Sequence, residues 1–320
     1  MQKLSPLCIT AFYDTRPGHV KQTRGLIQAL GEFTPVQAAE VFLPDYNLSK
    51  IFHDWLGFMG VVPAGKKNPD QSKPDLILGT GTHTHIPMLL HRRRYGGKVV
   101  TCMTPEWPLA KHMDLCFIPE HDAPKVADNI ITTLGPPNTA VNRNTHDPLQ
   151  GLVVIGGIDS KTHHWDNKKM ADQVRRVIDI QPHISWTLST SPRTPKEMVA
   201  MLADIAKDCS GTRFVPFEQT GSGWIENQYA KSNAVWVSAD SVSMVYEALS
   251  AGCRVGILPV DWKKKGARLG RAIDLLEKEN KVVSFASFIK NTAYPDHSLL
   301  NEARRCARTI LERWWPERLQ

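Results

Sequence analysis

An acid–base pair follows the first apolar run of the chain. Asp14 and His19 come directly after the run Leu7–Tyr13 and just before a helical pattern. A carboxylate and an imidazole at this spacing could move a proton, Gly18 would allow an unusual backbone angle, and the start of the helix would attract an anion. A plain βα turn with polar surface residues is the simpler explanation of this segment when it is taken alone.

Two further turns carry residue types that hold phosphate groups. Gly156 and Gly157 follow an apolar run, and paired glycines let a phosphate approach the backbone closely. Ser191, Arg193 and Thr194 follow another run, where the planar guanidinium suits phosphate and Thr194 could cap the next helix. The structural alternatives are a common glycine turn and a capped helix start with an exposed arginine.

The segment 234–258 is the most informative. An apolar run ends at residue 238, and a helical pattern begins near Ser241, where Asp240 or Ser241 could cap it. The first N–H groups of that helix and the hydroxyls of Ser241 and Ser243 could hold a diphosphate. Glu247 lies one to two turns further on and could accept hydrogen bonds from a ribose. Its alternative role is that of a carboxylate on a solvent-facing helix surface.

The histidines and cysteines do not form a metal-binding pattern. His83 and His85 are two residues apart and His163 and His164 are adjacent, but no HExxH or zinc-type Cys/His spacing is present. The six cysteines are scattered without a CxxC pair, which is typical of a reducing compartment. We therefore expect no metal and no bound cofactor.

The apolar runs that carry these residues predict an α/β fold. Most of them lack polar alternation, as expected of parallel strands buried on both faces, and they alternate with helical patterns. The predicted strands are 7–13, 75–78, 98–103, 114–118, 152–155, 184–189, 234–238, 255–258 and 281–285. A ligand should then lie at the carboxyl ends of the strands.

The division into domains is predicted from a change in composition. Residues 135–150 are rich in proline and asparagine and separate two βα series. We predict a Rossmann-like domain over residues 1–145, a second over 146–295 and a terminal segment over 296–320. In that segment Ser298 could cap a helix whose apolar face runs from Leu299 to Trp314 and whose other face is rich in arginine.

Composition narrows the function classes. The 320 residues are 42% hydrophobic, which is ordinary for globular domains, so a large core is expected. The first residues are polar and no apolar run reaches about 18 residues, so we expect neither a secretory leader nor a spanning helix. The net charge of +7 suits anionic partners in general. Nucleic acid ranks last among them, because the basic groups are dispersed and no known module signature appears.

Taken together, the segments resemble the family of plant elongated-mitochondria fission factors and their bacterial relatives, which are regarded as GT-B glycosyltransferases. The resemblance covers nearly the whole chain. It rests on the segments DTRPGH, DLCFIPEHD, the glycine turn, TSPRTP and SADSVSMVYEA. The chain departs from the common GGPS after its second-domain strand, and Pro192 replaces the first of two arginines, so the resemblance leaves the sugar and the nucleotide open.

The resemblance implies a fold and a function. The fold would comprise two Rossmann-type doubly wound parallel-sheet domains facing a central cleft, with the C-terminal helix returning to the first domain. The first domain would bind the acceptor and the second the nucleotide-sugar. The implied function is metal-independent transfer of a sugar from a nucleotide-sugar donor to a cell-envelope or lipid-linked glycan. Trp314, Trp315 and the arginine-rich face of the last helix separately suggest that this cytoplasmic protein contacts an anionic membrane at its periphery.

Site roles follow from these expectations. The base would be Asp14 or His19, and Glu106 is the next candidate. The donor would be held by the residues singled out above, namely Gly156, Gly157, Ser191, Arg193, Thr194, Asp240, Ser241, Ser243 and Glu247. The alternative hypothesis is a non-catalytic interaction or assembly protein on the same fold, because a fold does not fix a function.

Overall fold

The computed structural model of the chain describes residues 4–44, 48–61, 73–106, 108–295 and 300–319. Contacts divide the chain into two compact units. Unit 1 comprises Met1–Thr139 and Asn301–Gln320, and unit 2 comprises Ala140–Leu300. Each unit is built on its own parallel sheet.

Unit 1 contains a six-stranded parallel sheet in the order β2-β1-β3-β4-β5-β6. Its strands are β1 (Leu7–Tyr13), β2 (Val36–Phe42), β3 (Leu76–Gly79), β4 (Lys98–Thr101), β5 (Leu115–Pro119) and β6 (Ile130–Thr133). Its first helices are α1 (Pro17–Gly31), α2 (Leu48–Met59) and α3 (Thr82–Tyr95). The strand order reverses between β1 and β3, which makes that point the topological switch of the sheet.

Unit 2 contains a second six-stranded parallel sheet, in the order β10-β9-β7-β11-β12-β14, and a small antiparallel pair of β8 and β13. The strands are β7 (Asp147–Val154), β8 (His163–His164), β9 (Ser185–Ser189), β10 (Thr212–Val215), β11 (Ser232–Ser238), β12 (Arg254–Leu258), β13 (Asp261–Trp262) and β14 (Val282–Ser284). The helices are α4 (Asn167–Ile180), α5 (Lys196–Asp208), α6 (Trp224–Lys231), α7 (Val242–Ser250), α8 (Arg268–Lys278) and α9 (Phe285–Phe288). The switch point of this sheet lies between β7 and β11.

The last helix, α10 (Glu302–Trp314), packs against α1 within unit 1. Its apolar face is buried as predicted, with Cys306 and Ile310 fully inside the core. Asn301 caps the helix by accepting a hydrogen bond from the backbone N–H of Arg304 at 2.8 Å. The predicted start at Ser298 and the apolar position at Leu299 lie outside the described residues.

Apolar side chains fill both faces of the unit 1 sheet. Leu26 and Leu30 of α1 pack on one face together with the buried side of α10. Met88 and Leu89 of α3 pack on the other face. Burial on both faces explains why the central strands have continuous apolar sequences. The two faces fix the strand ends at which the polar candidates lie.

All nine predicted strands are present, with ends shifted by a few residues. The predicted linker 135–150 is shorter than expected, because β7 already begins at Asp147. The prediction also missed β2, β6 and β10, which are edge strands of the two six-stranded sheets, and the short pair β8 and β13.

Candidate functional site

The unit 2 candidates meet at the switch point of their sheet. Gly156 and Gly157 follow β7, and Asp240 and Ser241 follow β11, which is the neighbour of β7. Arg193 follows β9 on the other side of β7. Open α/β sheets bind ligands outside the carboxyl ends of their strands at such a reversal. The strand order thus brings three turns that are far apart in the sequence together at one corner of the sheet.

The carboxylate of Asp240 is the centre of this corner. It is 1% exposed and accepts hydrogen bonds from the Gly157 N–H at 3.0 Å and the Ser238 hydroxyl at 2.7 Å. The guanidinium of Arg193 donates to it at 2.8 Å, and the Ser241 hydroxyl lies at 3.3 Å. A buried carboxylate is tolerated only when it is paired and hydrogen-bonded in this way.

The glycine turn is determined by close packing. A Cβ on Gly156 would meet the Asp240 carboxylate and the Ser241 hydroxyl, and a Cβ on Gly157 would meet the carbonyl of Arg193. Neither glycine has a positive φ. The Gly156 N–H donates to the Ser238 hydroxyl at 2.7 Å and the Gly157 N–H to Asp240. Both N–H groups that the sequence suggested for phosphate binding therefore already donate within the protein.

The turn after β9 supports the glycine turn. The Ser191 hydroxyl donates to the Gly156 carbonyl at 2.9 Å, and the Thr194 hydroxyl lies within hydrogen-bonding distance of the carbonyls of Ile155 and Gly156. The prediction that Thr194 caps the following helix was wrong. Pro195 is the N-cap residue of α5, and no side chain caps the helix, because the Thr194 hydroxyl lies against the carbonyls of Ile155 and Gly156.

Helix α7 begins without a side-chain cap, although Asp240 or Ser241 was predicted to provide one. Their oxygens are instead used in the cluster just described. Among the described residues, none accepts a hydrogen bond from the N–H groups of Val242 and Ser243, and Ser243 is exposed. These two donors lie in the first turn of the helix, where an anion is favoured.

Glu247 is buried rather than solvent-facing. It is 8% exposed, so its alternative role on a solvated helix surface was wrong. Burial, and then the Glu247 carboxylate nearby, raise the pKa of Tyr229 well above its ordinary value. Glu247 is therefore part of the interior of unit 2.

Unit 1 carries the predicted acid–base pair at its own switch point. Asp14 follows β1, and its carboxylate lies 2.6 Å from Nδ1 of His19 in the first turn of α1. The Asp14 side chain is 5% exposed and the His19 side chain 19%. Because a carboxylate accepts, Nδ1 carries the proton, and the other ring nitrogen, Nε2, is left as a potential base.

Gly81, which follows β3, closes this corner. Its φ is +112°, and a Cβ would lie 2.6 Å from the His19 ring nitrogen and would also meet the Asp14 carboxylate. The unusual backbone angle predicted for Gly18 was wrong. Gly18 lies inside α1 with open space around it. The signal for Gly81 was a glycine after a predicted strand.

His85 is a further polar residue of this corner that sequence reasoning did not select. It is fully buried on α3, with Nε2 3.2 Å from the Thr101 hydroxyl. Burial, and to a lesser extent the charge of His19 nearby, lower its pKa to about 4. No described residue bonds to its Nδ1. His85 is therefore expected to stay neutral near pH 7.

Glu106 is separate from this corner in its contacts. It is exposed in the segment after β4, and no contact among the described residues joins it to Asp14 or His19. Within the same residues no group of three or more His, Cys, Asp or Glu side chains could hold a metal ion. No helix of the described chain is long and apolar enough to cross a membrane.

Comparison by sequence identifies one family. A family model described as Mitochondrial fission ELM1 matches residues 17–314. No curated protein matches the chain.

Comparison of structures identifies the fold. A protein of Listeria monocytogenes, assigned as a UDP-N-acetylglucosamine 2-epimerase, is similar with a TM-score of 0.57 and 15% identity over 97% of each chain. A "glycotransferase of kitacinnamycin" has a TM-score of 0.52 and 10% identity, over 96% of this chain and 99% of the other. The UDP-GlcNAc 2-epimerase of Neisseria meningitidis, solved with UDP-GlcNAc, has a TM-score of 0.51 and 13% identity, over 95% and 100%. With the two parallel sheets, these likenesses confirm the predicted two-domain, Rossmann-like GT-B fold.

Proposed function

This chain belongs to the mitochondrial fission ELM1 family, and we propose that it is a metal-independent glycosyltransferase that uses a nucleotide-sugar donor. The observation that carries the proposal is the placement of both polar clusters. Each lies at the switch point of its own sheet, which is where open α/β sheets bind ligands. One cluster carries an acid–base pair and the other carries an arginine beside a helix N-terminus.

The donor diphosphate would be bound in unit 2. The N–H groups of Val242 and Ser243 and the exposed Ser243 hydroxyl offer donors at the N-terminus of α7. Arg193 is 44% exposed on its side chain and can turn part of its guanidinium to phosphate oxygens. Glu247 would accept hydrogen bonds from the ribose. These groups would stabilise the negative charge that develops on the leaving diphosphate.

The acid–base step would use the pair in unit 1. The acceptor hydroxyl oxygen would attack the anomeric carbon, forming the new glycosidic bond as the bond to the diphosphate breaks. His19 Nε2 would take the hydroxyl proton, and the Asp14 carboxylate, 2.6 Å from Nδ1, would stabilise the imidazolium. The diphosphate would leave with the bonding electron pair.

The acceptor class belongs to the same proposal. We propose a lipid-linked or cell-envelope glycan reached from the cytoplasmic side of an anionic membrane. Basic groups near the end of α10 support contact with such a surface. Lys98 and Arg313 lie 5.5 and 5.9 Å from the ring centre of Trp314. Trp314 and Trp315 also pack on the unit 1 core, so their contribution at a membrane is limited to their exposed edges.

Nucleotide binding tests the proposal. Thermal unfolding would be followed with UDP, GDP, CMP, ADP and dTDP, starting from UDP because the similar Neisseria epimerase was solved with UDP-GlcNAc. A ligand at a hundredfold excess over its dissociation constant adds about 2.7 kcal/mol of stability. We expect one nucleotide to raise the midpoint, and Arg193→Ala and Glu247→Gln to reduce that shift.

One observation favours a second candidate, a non-catalytic interaction protein. The N–H groups of the glycine turn are already used, and Arg193 is already paired with Asp240. A protein that has lost its donor site would be expected to pair these polar groups with one another in this way. No shift with any of the five nucleotides at millimolar concentration would reject the transferase and favour this candidate.

A further inference from the structure

His163 is a buried histidine that lies beside the glycine turn and is not among the residues proposed to bind the donor. It lies on β8 and is 2% exposed. Its ring packs edge-on against Trp165 and Trp262, with ring centres 6.0 Å away in both cases. Two indoles and the pairing of β8 with β13 therefore hold the ring in one place.

Both ring nitrogens of His163 are used. Nε2 lies 3.1 Å from the carbonyl oxygen of Gly157, and Nδ1 lies 2.9 Å from the hydroxyl of Thr162. Because a carbonyl only accepts, Nε2 must carry the proton and donate to Gly157. Nδ1 of the neutral ring then accepts from Thr162. The Thr162 hydroxyl also lies 3.4 Å from the Asp159 carbonyl, so the contact with Gly157 is the one in which only the ring can donate.

The Gly157 carbonyl has a second donor, which is also the proposed phosphate ligand. Nη1 of Arg193 lies 3.4 Å from this oxygen, while Nη2 donates to Asp240 at 2.8 Å. A diphosphate would compete for the same guanidinium. If Arg193 turned to the phosphate, the buried Gly157 carbonyl would depend on His163 alone, and an unsatisfied buried carbonyl is costly.

We propose that His163 is a positioning residue for the donor site. Its Nε2 keeps the Gly157 carbonyl hydrogen-bonded, so that the Arg193 guanidinium can leave that carbonyl and bind the donor diphosphate instead. The proposal rests on the proposed function of unit 2. It predicts that loss of the Nε2 donor weakens nucleotide binding more than it weakens the ligand-free fold, in which Arg193 still reaches the carbonyl.

The test compares His163→Phe with His163→Gln. Phenylalanine keeps a ring between the two indoles but has no donor, whereas glutamine can present an N–H near the position of Nε2. His164→Phe is the control, because His164 is exposed on the same short strand. Titration calorimetry with UDP, GDP, ADP and dTDP, together with the ligand-free unfolding midpoint, would be run on each variant.

We expect His163→Phe to weaken binding of the preferred nucleotide about tenfold. His163→Gln should stay within about threefold of wild type, and His164→Phe should equal it. The decisive comparison is made in an Arg193→Ala background. There the carbonyl has no second donor with or without ligand, so His163→Phe should no longer change the affinity.

Three results would overturn the proposal. They are unchanged affinity in His163→Phe, failure of His163→Gln to restore affinity, and an equal loss from His163→Phe with and without Arg193. The last would indicate a purely structural histidine. Wild-type protein that binds none of the four diphosphates would reject the proposed function together with this inference, whereas the three results above, in a protein that binds one of them, reject the inference alone.

Discussion

The corners of unit 1 and unit 2 occupy equivalent places in two parallel sheets but use their polar groups differently. In unit 1, Asp14 bonds to His19, and no described residue bonds to Nε2 of that histidine. In unit 2 the N–H and carbonyl groups of both turn glycines are bonded to neighbours. The first corner thus leaves a ring nitrogen without a partner among the described residues, while the second is a closed hydrogen-bonded frame that includes the Arg193 guanidinium.

This contrast has a physical origin. The unit 1 pair connects residues five positions apart on one strand end and the next helix. The unit 2 frame connects Gly157 to Asp240 across 83 positions and Arg193 to Asp240 across 47. Long-range networks of this kind are rigid because each member fixes several others. If unit 1 is the reactive corner and unit 2 the rigid one, substitutions in the two corners should have different effects.

The largest effect is expected from Asp14→Asn. Asparagine cannot stabilise the imidazolium, so the rate of nucleoside diphosphate release from the donor should fall by roughly 100-fold or more. Nucleotide affinity, measured by calorimetry, should remain unchanged because the donor would be bound in unit 2. A variant that keeps the wild-type rate would show that unit 1 does not supply the base, and the comparison would break.

The second largest effect is expected in the pH dependence of the stability of unit 1. Burial lowers the pKa of His85 to about 4, from 6.5 in the unfolded chain, so the unfolded state binds the extra proton between these values. Stability should therefore be full above about pH 6.5 and fall by up to about 3 kcal/mol as the pH drops towards 4. Hydrogen exchange of α3 would measure the loss within unit 1.

The control for this effect is a pair of variants. His85→Gln should flatten the pH dependence of exchange in α3, whereas the exposed His164→Gln should leave it unchanged. Exchange in β11 of unit 2 provides a reference within the same molecule. A wild-type α3 whose protection is constant from pH 7 to 4 would contradict the assignment.

The sequence predicts the interior strands of both six-stranded sheets well but misses three of their four edge strands, β2, β6 and β10. Interior strands such as β1 and β11 are buried on both faces, which produces continuous apolar runs. The edge strand β2 is largely exposed, with half-buried positions only near its ends, so its sequence gives no such signal. The edge strand β10 is likewise only partly buried.

Candidate residues could be selected from the sequence, but their hydrogen-bond partners could not. Asp240 and Thr194 were both interpreted as helix caps, because capping depends on a few neighbouring residues that are visible in the sequence. In the structure their oxygens bond to turns that lie tens of positions away. Ser238 and His163 escaped selection for the same reason, since their partners, Gly156 and Gly157, belong to another turn.

A smaller difference between the two corners is expected in the free energy of unfolding when a glycine in each is replaced by alanine. Gly157→Ala would place a Cβ against the Arg193 carbonyl, and such overpacking should cost about 1–3 kcal/mol in the free energy of unfolding. Gly18→Ala is the matched control near the unit 1 corner, where a Cβ meets open space within a helix. It should be neutral or stabilising by up to about 1 kcal/mol. Equal effects from both changes would contradict the close-packed frame in unit 2.

The smallest effect concerns the charge of Asp240. In an Asp240→Asn variant the amide side chain could still accept from the Gly157 N–H and face Ser238, so the frame should persist while Arg193 loses its counter-charge. A diphosphate would then meet a less negative corner and a released guanidinium, and its affinity should rise about fivefold, near 1 kcal/mol. Asp261→Asn, which breaks the exposed pair with Lys169, should leave affinity unchanged. Weaker binding in Asp240→Asn would mean that the carboxylate positions Arg193 for the ligand rather than competes with it.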